Sequence, residues 1–483
     1  MKKIPFITIL LFFNISFAQI ITPGMGKSYT FSDLAADTSG SVVVSSDIAN
    51  LYQDLTISQK DTLLLDAALQ TLVINGNIVV TIHGSVVCEP RQNKLIVSGL
   101  AENDSAATFE WRFDEAQRST FSKIIFENGQ NILIDKTEVL IDSCEFRNFT
   151  SQVIKYMYCN PVIQGCYFHD NRLAAINSGA NVTGAPFIKD NIFYHNVLDN
   201  VNQPQINLGP GSESDTVFII DNVIDGCSSM SGGVAIADLM NVSRTNVVLR
   251  GNRIENNRYG YTQNGKNIYA LLEDNMFIDN NLETNPMNGG SGVSIYGYDT
   301  TCAAKLRRNV ISGNLWGVTA IYYHNVDMGT LDDFGYNSLY DNENGGTVYA
   351  LYNNAYSPIS AIGNCWGGNS AEFAEEVIYH YNDQDNLGLV TFEPIWCPEN
   401  PVKDNPAFDL EIYPNPAGDI CHIVSSEQVK CVRIVNSLGQ TVRQAQPETH
   451  EYTFSSLKNM PRGIYFIVVE TKNEIRVKKL ELR

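Results

Sequence analysis

The chain is predicted to be all-β: a solenoid of stacked strand coils followed by a small, separate β-domain. Three observations predict this. A six-residue motif (Asn, any, bulky apolar, any, any, Asn) recurs through the middle of the chain. Apolar residues alternate over short runs rather than at helical spacing, with abundant Gly and Asn between them. From residue 407 the motif gives way to β-branched runs punctuated by a turn glycine, the pattern of a compact sandwich.

The first element is a leader. Lys2 and Lys3 precede the apolar run Phe6–Phe13, and Ser16, Phe17 and Ala18 end it with mostly small residues. Residues 1–18 therefore read as a secretory signal peptide, too short for a stable membrane span. The mature chain is expected to start near Gln19, with no cysteine there to carry a lipid and no later transmembrane segment.

Residues 19–60 are expected to cap the open end of the stack, whose unpaired strands would otherwise recruit other edges. Asp61–Leu65 and Leu72–Val80 read as early coils. The motif then runs through Asn191/Phe193/Asn196, Asn252/Ile254/Asn257, Asn275/Phe277/Asn280, Asn309/Ile311/Asn314, Asn337/Leu339/Asn342 and Asn364/Trp366/Asn369. Cys144 and Cys166 replace the first Asn in two earlier copies, and Cys227 replaces the last one after Asn222. An aliphatic residue lies three positions ahead of most copies, as at Ile141, Ile188 and Leu306.

First motif positions recur 22 to 34 residues apart, and such a period marks a repeat architecture in which each coil buries its apolar side only against its neighbours. The apolar position of the motif is expected to point inward. The asparagines suit tight bends and can hydrogen-bond along the stack. Residues 199–216 and 281–299 are expected to project as loops, the usual place for a grafted site. The solenoid is placed at 61–395, a proline-rich linker at 396–406 and the small domain at 407–483.

The repeat resembles that of right-handed parallel β-helix proteins of the pectate-lyase-like superfamily. The small domain resembles the type A C-terminal sorting domain of the type IX secretion system of Bacteroidetes-type bacteria. That second resemblance rests on Tyr413, Pro414, Asn415 and Pro416, then Leu438, Gly439 and Gln440, then Gly463 and Tyr465, in the expected order. It implies a partner, the secretion machinery engaged by residues 407–483, and a location, secreted or at the outer cell surface via the periplasm.

Charge narrows the ligand. The chain carries −20, and residues 405–483 hold 10 Lys+Arg against 9 Asp+Glu, which leaves −21 on residues 1–404. Such a surface repels nucleic acid and anionic lipid, and a polyanionic substrate would need cations or a local basic patch. Ten cysteines in an exported chain permit disulfides whose pairing the sequence does not define; Cys365 and Cys397 flank one segment, and Cys421 and Cys431 lie in the tail.

No catalytic set stands out. Hydrolases of the superfamily carry several acidic and basic signatures, of which only Asp332-Asp333 is present. Asp190, Asp221 and Asp274 each precede a motif asparagine and form one candidate carboxylate row. His169, Asp170 and Arg172 cluster at one bend. Asp383 and Asp385 resemble half of a calcium loop, so calcium is the one candidate cofactor. Tyr259, Tyr261, Tyr296, Tyr298, Trp316, Tyr322 and Tyr323 fall in or beside bends and are candidates for stacking on sugar rings. The expected function is non-catalytic glycan or surface binding, with extracellular polysaccharide as the partner. The alternative is a polysaccharide lyase or glycoside hydrolase with a divergent site on the two loops.

Overall fold

The structure, a computed structural model, describes residues 19–100, 109–397, 410–436, 441–472 and 475–482. The leader expected at 1–18 and all but the first two residues of the linker expected at 396–406 lie outside these residues, as do Leu438, Gly439 and Gln440. Two compact units result, 1–398 and 399–483.

The larger unit is a parallel β-helix with three strand faces. Face I is a 13-stranded sheet running from Val42–Ser45 to Ser338–Tyr340. Face II contains Ile154–Met157, Ile206–Leu208, Val234–Asp238 and Tyr261–Gly265; face III contains Val162–Gln164, Thr216–Ile220, Thr245–Arg250 and Ile268–Glu273. Ser291–Arg307 and Trp316–Gly329 run unbroken from face II into face III, so the two faces merge into one 23-stranded sheet.

Why each coil turns where it does is visible in the backbone. Leaving face III, the residue before each first motif position takes a left-handed conformation: Asp190 (φ 55), Asp221 (φ 55), Gly251 (φ 67), Asp274 (φ 57), Arg308 (φ 55) and Tyr336 (φ 54). Leaving face I, His195 (φ 52), Asn256 (φ 54), Asp279 (φ 52) and Asp341 (φ 54) do the same before the second motif asparagine. The positive φ thus falls one residue ahead of the asparagine expected to adopt it. The asparagines instead turn their side chains inward.

There they build two ladders. In the first, Asn191, Asn222, Asn252, Asn275, Asn309, Asn337 and Asn364 follow one another, all buried. Asn309 is representative: its Oδ1 accepts from Asn275 N and Nδ2, both at 3.0 Å, and its Nδ2 donates to Leu272 O at 2.9 Å and Asn337 Oδ1 at 2.8 Å. Cys166 continues the line, its backbone N donating to Asn191 Oδ1 at 2.9 Å. The second ladder runs Asn171, Asn196, then Asn257, Asn280, Asn314 and Asn342. Buried amides are costly unless bonded, and these are bonded on both sides.

Close beside the second ladder lies a row of glycines. A Cβ on Gly292 would stand 2.7 Å from Ile311 Cγ2 and 2.9 Å from Asn314 Nδ2, and one on Gly260 would stand 2.4 Å from Gly292 O and 2.8 Å from Phe277 Cδ1. Only a residue without Cβ lets face II start this near the ladder.

The apolar motif position is inward throughout. Phe146, Phe168, Phe193, Ile224, Ile254, Phe277, Ile311 and Leu339 are all fully buried. The Phe126, Phe146, Phe168 and Phe193 rings stack in successive coils at 5.3, 4.7 and 5.0 Å. Ile141, Ile188 and Leu306 are equally buried across the core.

Residues 19–60 do more than cover an end. Ile20–Ile21 pairs with Leu55–Ile57, Ser28–Tyr29 with Thr62–Leu65, and Ile48–Leu51 with Thr71–Asn75, all in parallel, so they supply the first rung of every face. The helix Phe31–Asp37, started by a Thr30–Asp33 capping box, buries Phe31 and Leu34. At the other end the helix Ala371–Val377 precedes the last strands Ile378–Tyr379 and Val390–Thr391, and Cys365 and Cys397 form a disulfide.

The smaller unit has a three-stranded and a four-stranded antiparallel sheet. Ile423, Val432, Ile434, Ile467, Val469 and Leu480 are fully buried between them. Tyr465 is buried, and its hydroxyl donates to Pro461 O at 2.9 Å, which ties the strand start to the preceding turn. Tyr413 is exposed, 5.3 Å from the His422 ring, and Gly463 holds φ 147. Cys421 and Cys431 are buried free thiols.

Candidate functional site

Face II alternates except at Tyr322, which holds φ 64 and lets two successive rings face solvent, so its outward positions form rows that climb from coil to coil. One row is Asn177, Asn207, Ala235, Thr262, Ser294, Thr319, Tyr352 and Tyr379 in register. From the Ser294 coil onward this face becomes aromatic.

At the strand starts, Trp316 Nε1 donates to Pro286 O at 2.9 Å, so the segment before the Ser291–Arg307 strand holds the indole in place; the loop expected at 281–299 ends at residue 290, because 291–299 pairs into the sheet instead. The indole lies 4.7 Å from the Tyr349 ring and 4.9 Å from Tyr352, and Tyr352 stacks on Tyr379 at 4.9 Å and 18°. At the strand ends, Tyr298 pairs in register with Tyr323, and the Tyr323 ring lies 6.3 Å from Tyr356 one coil on. Tyr296 meets Tyr322 edge-on at 5.0 Å, and that neighbouring hydroxyl pushes Tyr296 up to about 12. Tyr298, Tyr322, Tyr323 and Tyr356 are 44%, 51%, 49% and 64% exposed, so these rings face solvent.

The structure therefore brings together five of the seven predicted aromatics: Tyr296, Tyr298, Trp316, Tyr322 and Tyr323. It removes Tyr261, which is fully buried and whose hydroxyl meets Gln263 Oε1 at 3.2 Å, because odd positions of that strand point inward. Tyr259 is half-buried and packs on Gly232, where a Cβ would stand 2.1 Å from its ring. Tyr349, Tyr352, Tyr356 and Tyr379 were missed. Counting from the Asn342 ladder position into face II would have placed Tyr352 outward, but no motif marks where that strand begins.

The other candidates have local duties. Asp190 sits 3.6 Å from Lys189, Asp274 is 2.7 Å from Arg308, and Gly251 interrupts the row between Asp221 and Asp274; the left-handed turn, not a ligand, explains these positions. His169 lies between Asp170 (2.7 Å) and Glu145 (3.5 Å), whose charges push it up despite burial, while Arg172 pairs separately with Asp199 at 2.9 Å. Asp333 pairs with Lys305 (2.6 Å) and Arg307 (2.9 Å), which hold it down to about 2. Asp383 Oδ2 accepts from His380 N at 2.9 Å, closing a turn. Among the described residues no three His, Cys, Asp or Glu side chains converge as metal ligands. A cavity of about 550 Å³ opens elsewhere, beside Arg118, Lys136 and Tyr158, with no partner set for chemistry.

Comparison with known proteins fits this architecture. A secretion system C-terminal sorting domain matches residues 411–482, a right-handed beta helix region matches 102–269, and a protein family of unknown function (DUF1565) matches 213–372. The chain is thus a right-handed β-helix protein bearing a type IX secretion sorting domain, which directs it to the cell surface or the extracellular space and implies contact with the secretion machinery. No curated protein matches it. Among solved structures, a mutant of the periplasmic alginate epimerase AlgG aligns at 11% identity over 76% of this chain and 83% of that one, with a TM-score of 0.45. A second AlgG mutant aligns at 14% identity over 76% and 82%, with a TM-score of 0.41. Among the described residues no helix is long and apolar enough to cross a membrane.

Proposed function

We propose that the aromatic part of face II is a carbohydrate-binding surface and that the exported protein acts by binding rather than by chemistry. The observation that carries this is the run of outward aromatic rings over successive coils, Tyr298, Tyr323 and Tyr356 at one edge and Trp316, Tyr352 and Tyr379 at the other. Rungs about 4.8 Å apart repeat on the scale of one sugar unit in an extended chain. Tyrosine offers a flat apolar face for a pyranose ring and a hydroxyl for its edge. Three carboxylates in these segments have partners: Asp199 holds Arg172, Asp215 accepts from Asn160 at 3.0 Å, and Asp299, within the Ser291–Arg307 strand, lies 3.4 Å from Lys266. The test is retention of the purified mature chain on a polysaccharide panel, scored together with product release. Retention without products supports binding; new reducing ends or unsaturated products overturn it.

A further inference from the structure

The charge pattern of face II goes further than its shape. At its N-terminal end the outward positions include Glu110, Arg112, Asp114, Asp135 and Lys155, in register across neighbouring coils. From the Ala235 coil to the Tyr379 coil, the outward positions of face II are Ala, Ser, Thr, Asn, Ile, Tyr or Trp; charge returns past Tyr298, at Asp299 and at the paired Lys305 and Asp327. The formal charge ends at the Lys155 coil, several coils before the aromatic rings begin to gather at the Ser294 coil.

The cations bordering this stretch are engaged. Lys266 faces Asp299, Arg258 Nε donates to Asn288 O at 2.8 Å and its Nη1 to Asn202 at 2.6 Å, and the Arg244 guanidinium lies over the Tyr269 ring at 4.0 Å. The carboxylate of Asp299 is occupied by the same lysine and by the Thr301 amide at 2.9 Å. A uronate or sulfate chain would find no open guanidinium or ammonium on the face, and would approach a protein of net charge −20. A polycationic chain would find no open carboxylate on it.

We infer that this face takes an uncharged polysaccharide. The inference rests on the carbohydrate-binding reading above and names the chemical class of its ligand. Tyr298, Tyr323 and Tyr356 stack on the apolar faces of successive sugars, while Asn354, Thr262 and Ser294 meet hydroxyl groups between the two aromatic edges. Recognition of this kind depends on ring contact and neutral hydrogen bonds, so it is insensitive to salt.

The experiment uses the full mature chain and a Tyr323→Ala/Tyr356→Ala double variant, two exposed positions whose replacement is checked by an unchanged unfolding midpoint. The probes are xylan, mannan and mixed-linkage glucan as neutral polymers, alginate and polygalacturonate as polyanions, and chitosan as a polycation, each at low and at physiological salt. The expected result is retention by at least one neutral polymer, weakened about tenfold or more in the double variant and unchanged by salt. Salt-sensitive retention by a uronate polymer or chitosan that the same variant abolishes overturns the neutral-ligand inference and leaves the aromatic face standing as the binding site. Retention that ignores the double variant, or none on any polymer, overturns both.

Discussion

Gln205 Nε2 donates to Asn257 Oδ1 at 3.1 Å, and Gln205 Oε1 accepts from Asn196 Nδ2 at 2.9 Å. This glutamine, at the threshold of a face II strand, therefore spans a break in the second asparagine ladder. The break is where the repeat has Cys227, whose side chain is exposed rather than inward. The longer amide reaches from one coil into the next, and its Nε2 also donates to Asp225 O at 3.0 Å, so no neighbour is left unbonded.

Gln205→Ala should lower stability by about 2 kcal/mol, because it strips partners from two buried amides. Cys227→Asn alone should change little, since the place is filled. The two together should recover much of the loss, as an asparagine restores the regular ladder. A double-mutant cycle on denaturant midpoints measures this, and purely additive losses would refute the substitution of roles.

Gly292→Ala should cost about 2 kcal/mol or more. Its new methyl group meets Ile311 Cγ2, Asn314 Nδ2 and Gly317 O at 2.7 to 3.0 Å, two of them fixed by the core and the ladder. An unfolding midpoint equal to that of the parent would show that face II can yield at this corner.

His324 predicts a pH response. It is 2% exposed, its Nε2 meets Asn353 Oδ1 at 3.2 Å, and burial lowers it to about 4. The native ring stays neutral down to about pH 4, while the unfolded ring takes up a proton near its ordinary 6.5. Its contribution is thus complete above about pH 6.5 and is lost as the pH falls from there to about 4, a change of about 3 kcal/mol. His324→Gln should flatten the stability profile in that window relative to the parent; parallel profiles would disprove the assignment.

Reduction of Cys365–Cys397, which closes a separation of 32 residues, should destabilise the last coil by about 3 kcal/mol. Hydrogen exchange should rise first in residues 378–397 on adding reductant, and in the Cys397→Ser variant. Uniform exchange throughout the solenoid would instead mean that the bridge acts on the whole stack.

The sequence made the coil itself readable because the motif carries both its core residue and its corner. Phe193, Ile254 and Ile311 could be placed inward from spacing alone, and they are. The backbone role of the corner was displaced by one residue: Asp221 and Arg308 take the positive φ, while Asn222 and Asn309 bond along the stack. Both arrangements satisfy the same motif, so only coordinates separate them. The aromatic face was half legible. Tyr298 and Tyr323 stand out beside bends, but Tyr261 looks the same in sequence and sits in the core, because a one-residue shift in strand register exchanges inside for outside.

Each ladder asparagine serves the coil before it: Asn337 Oδ1 completes the amides of Asn309, and Asn364 Oδ1 those of Asn337. The stack therefore has a polarity, and every unfinished stack presents an unsatisfied end, much as a growing polymer does. The segment beyond Val390–Thr391 acts as the chain terminator. Pro394 O accepts from Gly363 N at 2.8 Å, Trp396 N donates to Asn364 O at 3.2 Å, and Cys397 is bonded to Cys365 beside them. A molecule cut short of that stretch would carry a live end, and end-to-end fibres would be its natural fate.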